Sequence, residues 1–295
     1  MAPHTFFIVD VFAEEKLAGN QLAVALDAAD LTGEEMQRIA SEMSYSETTF
    51  IISGEQRGGG YDVRIFTPVR EVPFAGHPTL GTAYVLQREV IGRPVETVLL
   101  NLGVGQVPVE ICYSGDQTDI LWMIQKPPAF GREFEPGPVA RALDLDERDL
   151  DARFPVREVS TGIPFMIVPL VSLDALKRAR VDREKLSELV ADAEAKAVLV
   201  FCPETRSPEN DLSVRVFAGY YGVPEDPATG SANGCLAGYL VEHRYFGEDP
   251  IDLRVEQGHE IGRPSLLLLK AEVAEGGIDV RVGGRVQMVA RGELV

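Results

Sequence analysis

Two short segments place a titratable residue directly before a run almost free of charge. One is "VPFAGHPTLGTAYVL" (72–86), which contains His77; the other is "YGVPEDPATGSANGCLAGYL" (221–240), which contains Glu225 and Asp226. A histidine and a carboxylate are groups that handle protons or grip a polar ligand. Each has a plainer alternative: Asp226 as an N-cap, worth about 1 kcal/mol, and His77 as a packed or capping histidine. A third candidate, Glu47, stands in "MSYSETTFII" between a helical pattern and an apolar strand. Nothing in the spacing alone distinguishes Glu47 from an exposed loop carboxylate.

What must position these groups is suggested by an internal repeat. "VRIFTPVREVPFAGHPTLGTA" begins at Val63 and "VRVFAGYYGVPEDPATGSA" at Val214, about 150 residues apart. Aligned, His77-Pro78 falls on Asp226-Pro227, and Gly81-Thr82-Ala83 on Gly230-Ser231-Ala232. That period is too long for a solenoid unit, so the chain reads as two similar halves. We expect 1–124, joined by 285–295, and 125–284. The segments after His77 and Asp226 are small or apolar nearly all round, the composition of a helix buried on every side. With proline at the first helical position, His77 and Asp226 are expected just before the two helix starts. Free N–H groups and the dipole at a helix start hold anions. Two such starts facing across a cleft would hold a small carboxylate, with close approach at Gly76, Gly230 and Gly234 and hydroxyls from Thr82 and Ser231.

Strand-like patterns cover 5–12, 22–26, 48–52, 61–66, 97–102, 119–124, 165–171, 197–202, 212–217, 265–273 and 278–284. Residues 32–43 read as a helix with a Thr32–Glu35 capping box. Residues 182–196 read as a second amphipathic helix, and the Pro- and Gly-rich 125–138 as a linker. The fold class is therefore α+β, with strand-rich walls around one helix in each half.

The net charge of −18 argues against nucleic acid or an anionic membrane as partner. No apolar run reaches the roughly 20 residues of a bilayer span, and no signal peptide is evident, so a cytoplasmic location is expected. Cys112, Cys202 and Cys235 form no C-x-x-C pair and read as mostly buried, reduced thiols. His243 and His259 read as surface residues, and four dispersed histidines make no metal site. Walker, G-x-S-x-G and H-E-x-x-H patterns are absent.

"GNQLAV" (19–24), "SETTF" (46–50), "FTPVREVPFAGHPTLG" (66–81) and "VPEDPATGSANG" (223–234) resemble, in order and spacing, the signature segments of the PhzF phenazine-biosynthesis family. The resemblance implies the diaminopimelate epimerase-like fold: two pseudo-symmetric domains, each a mixed sheet rolled round a central helix, with the site between them. It also implies a homodimeric isomerase without metal or organic cofactor. The family's best-known member converts trans-2,3-dihydro-3-hydroxyanthranilate to a ketone. Carried over, Glu47 is the base and then the acid, while His77 and Asp226 hold substrate and assist proton movement. Ser46, Gly76, Gly230 and Ser231 fall at substrate-binding positions. Epimerases of this fold carry two cysteines where this chain has Ala75 and Asp226, and Gln21 replaces a usual proline. An epimerase or racemase using Glu47 and Asp226, and a metabolite-binding protein without turnover, are the alternatives.

Overall fold

The computed structural model describes residues 3–247 and 249–295. It divides into two compact units, Met1–Met123 with Gly283–Val295, and Ile124–Val282. In the first unit β1 (His4–Val11) pairs antiparallel with β2 (Asn20–Ala25), which lies parallel to β3 (Glu47–Ile51). The antiparallel neighbour of β3 is β4 (Tyr61–Phe66), and the two-residue β5 (Glu71–Val72) folds back on β4. The start of β4 runs parallel to β6 (Thr97–Leu102), which leads a meander with β7 (Gly105–Ser114) and β8 (Gln117–Ile124).

Two helices serve this unit in different ways. α1 (Gly33–Met43) has both bonds of the Thr32–Glu35 capping box and packs Met36, Ile39 and Ala40 against Phe50 and Phe66. α2 (Gly76–Val85) is buried at every position from His77 to Val85 and touches β1, β2, β3, β6 and β7. At its closest approach only glycine fits: a Cβ on Gly81 would lie 2.6 Å from Leu22 Cδ2 and 2.9 Å from Val11 Cγ2. The helix continues into a π-helical turn, Leu86–Ile91.

In the second unit β9 (Ala129–Phe134), β10 (Val156–Ser160) and β11 (Pro164–Pro169) are antiparallel neighbours in that order. β12 (Ala197–Cys202) lies parallel to β11 and antiparallel to β13 (Leu212–Ala218). β14 (Val223–Asp226) folds back on β13, which also runs parallel to β15 (Ile251–Gln257). β16 (Ser265–Ala274) is antiparallel to β15, and β17 (Gly277–Gly284) follows. α3 (Pro136–Ala142), α4 (Leu173–Arg178) and α5 (Arg183–Leu189) share one hydrophobic cluster with β10–β12. α6 (Gly230–Glu242) is buried from Gly230 to Val241. The chain then returns to the first unit as β18 (Val286–Leu294), antiparallel to β1. Among the described residues no helix is long and apolar enough to cross a membrane.

The repeat is a structural one, β4–β5–α2 in one unit and β13–β14–α6 in the other. Each copy carries an arginine–glutamate fork that the repeat contained but the sequence reading did not use. Arg64 Nε and Nη2 donate to the two oxygens of Glu71, each at 2.7 Å. Arg215 donates to Glu225 at 2.9 and 2.8 Å. Both guanidiniums also lie over the following phenylalanine ring, Phe66 or Phe217.

Three expectations need correction. Residues 125–138 are not a linker: β9 lies within them and pairs with β10, and α3 starts at Pro136. The helix expected over 182–196 ends at Leu189, because Val190 and Ala193 turn into the core and Lys196 Nζ caps the carbonyls of Val190 and Ala191. His243 and His259 are half-buried, His243 against the Tyr239 ring. The cysteines are mostly buried thiols, as expected: Cys202 and Cys235 are buried, and Cys112 is exposed on β7.

The two forks differ in burial, and that should set their worth. Arg215 and Glu225 are 4% and 12% exposed, and Arg215 Nη1 also donates to the carbonyls of Leu176 and Ala179. Arg64 and Glu71 are 36% and 44% exposed. Arg215→Met strands a buried carboxylate and should cost about 3–5 kcal/mol, whereas Arg64→Met should cost at most about 1 kcal/mol. Urea denaturation of the two variants compares them, and equal losses would show that burial does not govern the fork.

Candidate active site

Side chains alternate along a strand, so Glu47 and Thr49 share the face of β3 that meets α2. Thr49 Oγ1 and Thr82 Oγ1 hydrogen-bond at 2.8 Å, and Glu47 Oε2 lies 3.5 Å from His77 Nε2. Two strand residues advance about 6.7 Å and five helix residues about 7.5 Å, so the two contacts are matched rungs between β3 and α2. Glu47 is not an exposed loop carboxylate: it is the first residue of β3, with its side chain 19% exposed. Ser46, just before β3, and Gly76, the first residue of α2, are both half-buried.

His77 is almost fully enclosed. Burial pushes its pKa down to about 3, and a hydrogen bond with the Gln21 backbone pulls the other way. The imidazole is therefore neutral at physiological pH, and its 3.5 Å approach to Glu47 is a polar contact rather than an ion pair. That backbone contact does not use the Gln21 side chain, which explains why proline is replaceable there.

The helix starts are not where the spacing placed them. His77 is the second residue of α2, which has Ala75 at its N-cap and Pro78 inside the first turn. Asp226 ends β14, four residues ahead of Gly230, because its backbone is held extended opposite Val216. Thr229 takes the N-cap of α6, yet its hydroxyl donates to Asp226 instead of accepting from the helix. α1, α4 and α5 are capped by Thr32, Ser172 and Asp182, but neither central helix has a side-chain cap. Their first-turn N–H groups keep the capacity to bind an anion.

Gln257 is the organiser of the second helix start, and the sequence reading missed it. Its Nε2 donates to the Asp226 carbonyl at 2.8 Å and to Thr229 Oγ1 at 3.1 Å. Its Oε1 accepts from Thr229 N at 3.3 Å and Asn233 Nδ2 at 2.8 Å. The next residue, Gly258, has φ +78°, and a Cβ there would stand 2.5 Å from the Pro227 carbonyl. The glutamine–glycine pair was the available signal, but its distance from residue 226 in sequence hid its partner. Ser231 is buried in the first turn of α6, where its carbonyl lies 3.5 Å from Thr161 Oγ1. Cys235 sits deeper, and burial pushes its thiol up to about 12, so it is no thiolate nucleophile.

The structure thus brings Glu47 and His77 into contact in the first unit, with Ser46 and Gly76 adjoining them in sequence. Asp226, Gly230 and Ser231 are grouped at the start of α6 in the second. A cavity of about 650 Å³ along β4 and β6 contains none of these residues.

Mixed sheets wrapped on uncapped central helices, with proton-handling groups at a helix start, define the class of the diaminopimelate epimerase-like isomerases. The chain belongs to the PhzC–PhzF family: the family model, described as phenazine biosynthesis-like protein, matches residues 9–292. It is 37% identical to the trans-2,3-dihydro-3-hydroxyanthranilate isomerase of Pseudomonas aeruginosa over 98% of each chain. It is 33% identical to an uncharacterised isomerase of Mesorhizobium japonicum, over 100% of this chain and 99% of that one. The crystal structure of a PhzF-family protein from Bacillus anthracis superimposes with TM-score 0.91 at 28% identity, covering 100% of both chains. The crystal structure of a protein described as a probable proline racemase from Agrobacterium radiobacter, at 10% identity and TM-score 0.64 over 99% of this chain and 93% of that one, shares the fold. The protein is a PhzF-type isomerase.

The buried imidazole carries a pH signature. An exposed histidine titrates near 6.5 while folded His77 stays neutral down to about 3. Between those values the unfolded chain binds the extra proton, so its contribution to stability is complete above about pH 6.5 and lost as pH falls toward 3. The slope from one such group is at most ~1.4 kcal/mol per pH unit. His77→Gln should flatten the profile of urea midpoint against pH between 6.5 and 4 relative to wild type; parallel profiles would contradict a neutral His77.

Proposed function

We propose that this isomerase moves a proton on a small cyclic or amino-acid-like carboxylate of the trans-2,3-dihydro-3-hydroxyanthranilate type, with Glu47 as base and then acid. The observation that carries the reading is the contact of Glu47 with a buried, neutral His77 on the inner face of β3. The naming of relatives 37% and 38% identical over nearly the whole chain supports the substrate class.

In the proposed reaction Glu47 removes a hydrogen from the ring carbon beside the diene. The electron pair spreads over the conjugated system, and Glu47 returns the same proton to another ring carbon on the same face. The resulting enol becomes the ketone, so atoms balance without an outside oxidant or reductant. Such a step needs a carboxylate shielded from water, since hydration weakens the base and lets the proton escape. Neutral His77 orients Glu47 and offers a hydrogen bond without adding charge. Asp226 grips a polar substituent, and Ser46, Gly76, Gly230 and Ser231 bind the substrate through main-chain N–H groups and hydroxyls. A two-thiol racemase is disfavoured, because Ala75 and Asp226 occupy the thiol positions and Cys235 is a protonated thiol. A homodimer, on the resemblance alone, and a cytoplasmic location, expected from the sequence patterning, complete the proposal.

Two measurements test it. Incubation with trans-2,3-dihydro-3-hydroxyanthranilate in D2O, followed by NMR, should show ketone formation by the wild type. Glu47→Gln should lower the rate by about 10²–10⁴-fold; full activity in that variant would remove Glu47 from the chemistry. Conversion by neither protein would remove this substrate class. Sedimentation velocity should give twice the 32.2 kDa chain mass, and a monomer would dispose of the dimer.

A further inference from the structure

The chain carries 28 Lys and Arg against 46 Asp and Glu, so a patch chosen at random should be acidic. One cavity of the first unit reverses that balance. It measures about 360 Å³ and is lined by Lys16, Arg88 and Arg291, with Glu89 as its one carboxylate, beside Tyr84 and the Gln287–Ala290 stretch of β18.

Each cation is placed by a different element. Arg88 stands on the π-helical turn that extends α2, a turn closed by the bond from Gly92 N to the Gln87 carbonyl at 2.9 Å. The guanidinium donates to the Tyr84 hydroxyl at 3.0 Å and lies 3.2 Å from Glu89. Arg291 is opposite Phe7 in the β1–β18 register and holds its guanidinium 5.5 Å from that ring. Gln287 Nε2 donates to the carbonyls of Ala13 and Glu14, fixing the loop that bears Lys16 against β18. The carboxylate of Glu14 is drawn to Arg285 instead. Lys16 and Arg291 form no ion pair among the described residues.

Like charges gathered in a small polar cavity repel one another, and the arrangement becomes favourable when an anion joins them. The volume lies in the range of small-ligand pockets, and arginine forks match a phosphate's oxygens. We infer that this cavity binds a small oxyanion of two negative charges, the phosphate of a free ion or of a phosphate monoester. The site is separate from Glu47 and His77: Tyr84 and Arg88 belong to the opposite end of α2 and its extension.

Calorimetric titration of the full chain with inorganic phosphate, and in a parallel arm with glycerol 3-phosphate, tests the inference. Wild type should show saturable binding of one equivalent, with the stronger arm identifying free ion or monoester. Arg88→Gln and Arg291→Gln should each weaken binding about tenfold or more. Lys16→Gln should weaken it in the same direction; all three cations are at exposed positions, so folding is not at stake in any of the variants. Equal binding by all three variants would place the anion elsewhere and overturn the inference. So would heats reproduced by chloride at matched ionic strength, or no saturable heat in the wild type. A variant-dependent change in sedimentation without phosphate binding would make the patch a contact between copies and equally overturn it.

Discussion

A helix enclosed on every side can carry almost no charge, and much of this fold follows from that. α2 and α6 are enclosed closely enough that Gly81 and Gly238 have no room for a Cβ, the former against Leu22 of β2 and the latter against Pro128, just before β9, at 2.7 Å. Their flanks are apolar or small, so polar chemistry is confined to their starts and to the few strand residues aimed at them. His77 illustrates the consequence, since the enclosure that excludes charge from the helix also keeps its imidazole neutral. Leaving both starts without a side-chain cap forgoes about 1 kcal/mol at each but keeps main-chain N–H groups available for a ligand.

The strand pairs that feed these helices are fastened by the same device in both units. Arg64–Glu71 joins β4 to β5, and Arg215–Glu225 joins β13 to β14. The fork fixes the return of the chain toward the helix start, whether it faces solvent or lies inside. Its second copy answers why Glu225 stands beside Asp226 at the mouth of so apolar a segment. Glu225 secures the strand pair, leaving Asp226 to engage Thr229 and, through its backbone, Gln257.

Where sequence reasoning erred, a long-range partner was responsible. β9 contains Gly131 and follows two prolines, so local propensity favours a loop; antiparallel pairing with β10 makes it a strand. α5 has a continuous helical pattern, but burial of Val190 and Ala193 ends it. The repeat aligned Asp226 with His77, yet pairing with Val216 keeps Asp226 in a strand while His77 is helical. Gln257 was invisible because its three partners lie between 24 and 31 residues away.

The sequence by itself determined the two-fold internal likeness, the two helices that had to be buried, the capping box of α1 and which titratable residues are candidates for handling a proton. These are properties of composition and short spacing, which local sterics and hydrophobic patterning express directly. Only the tertiary structure decided that Glu47 and Thr49 face His77 and Thr82, that the imidazole is neutral, and that cations from three separate elements line one cavity. Each of those depends on strand register and on how much water is excluded, and both are set by residues far apart in the chain.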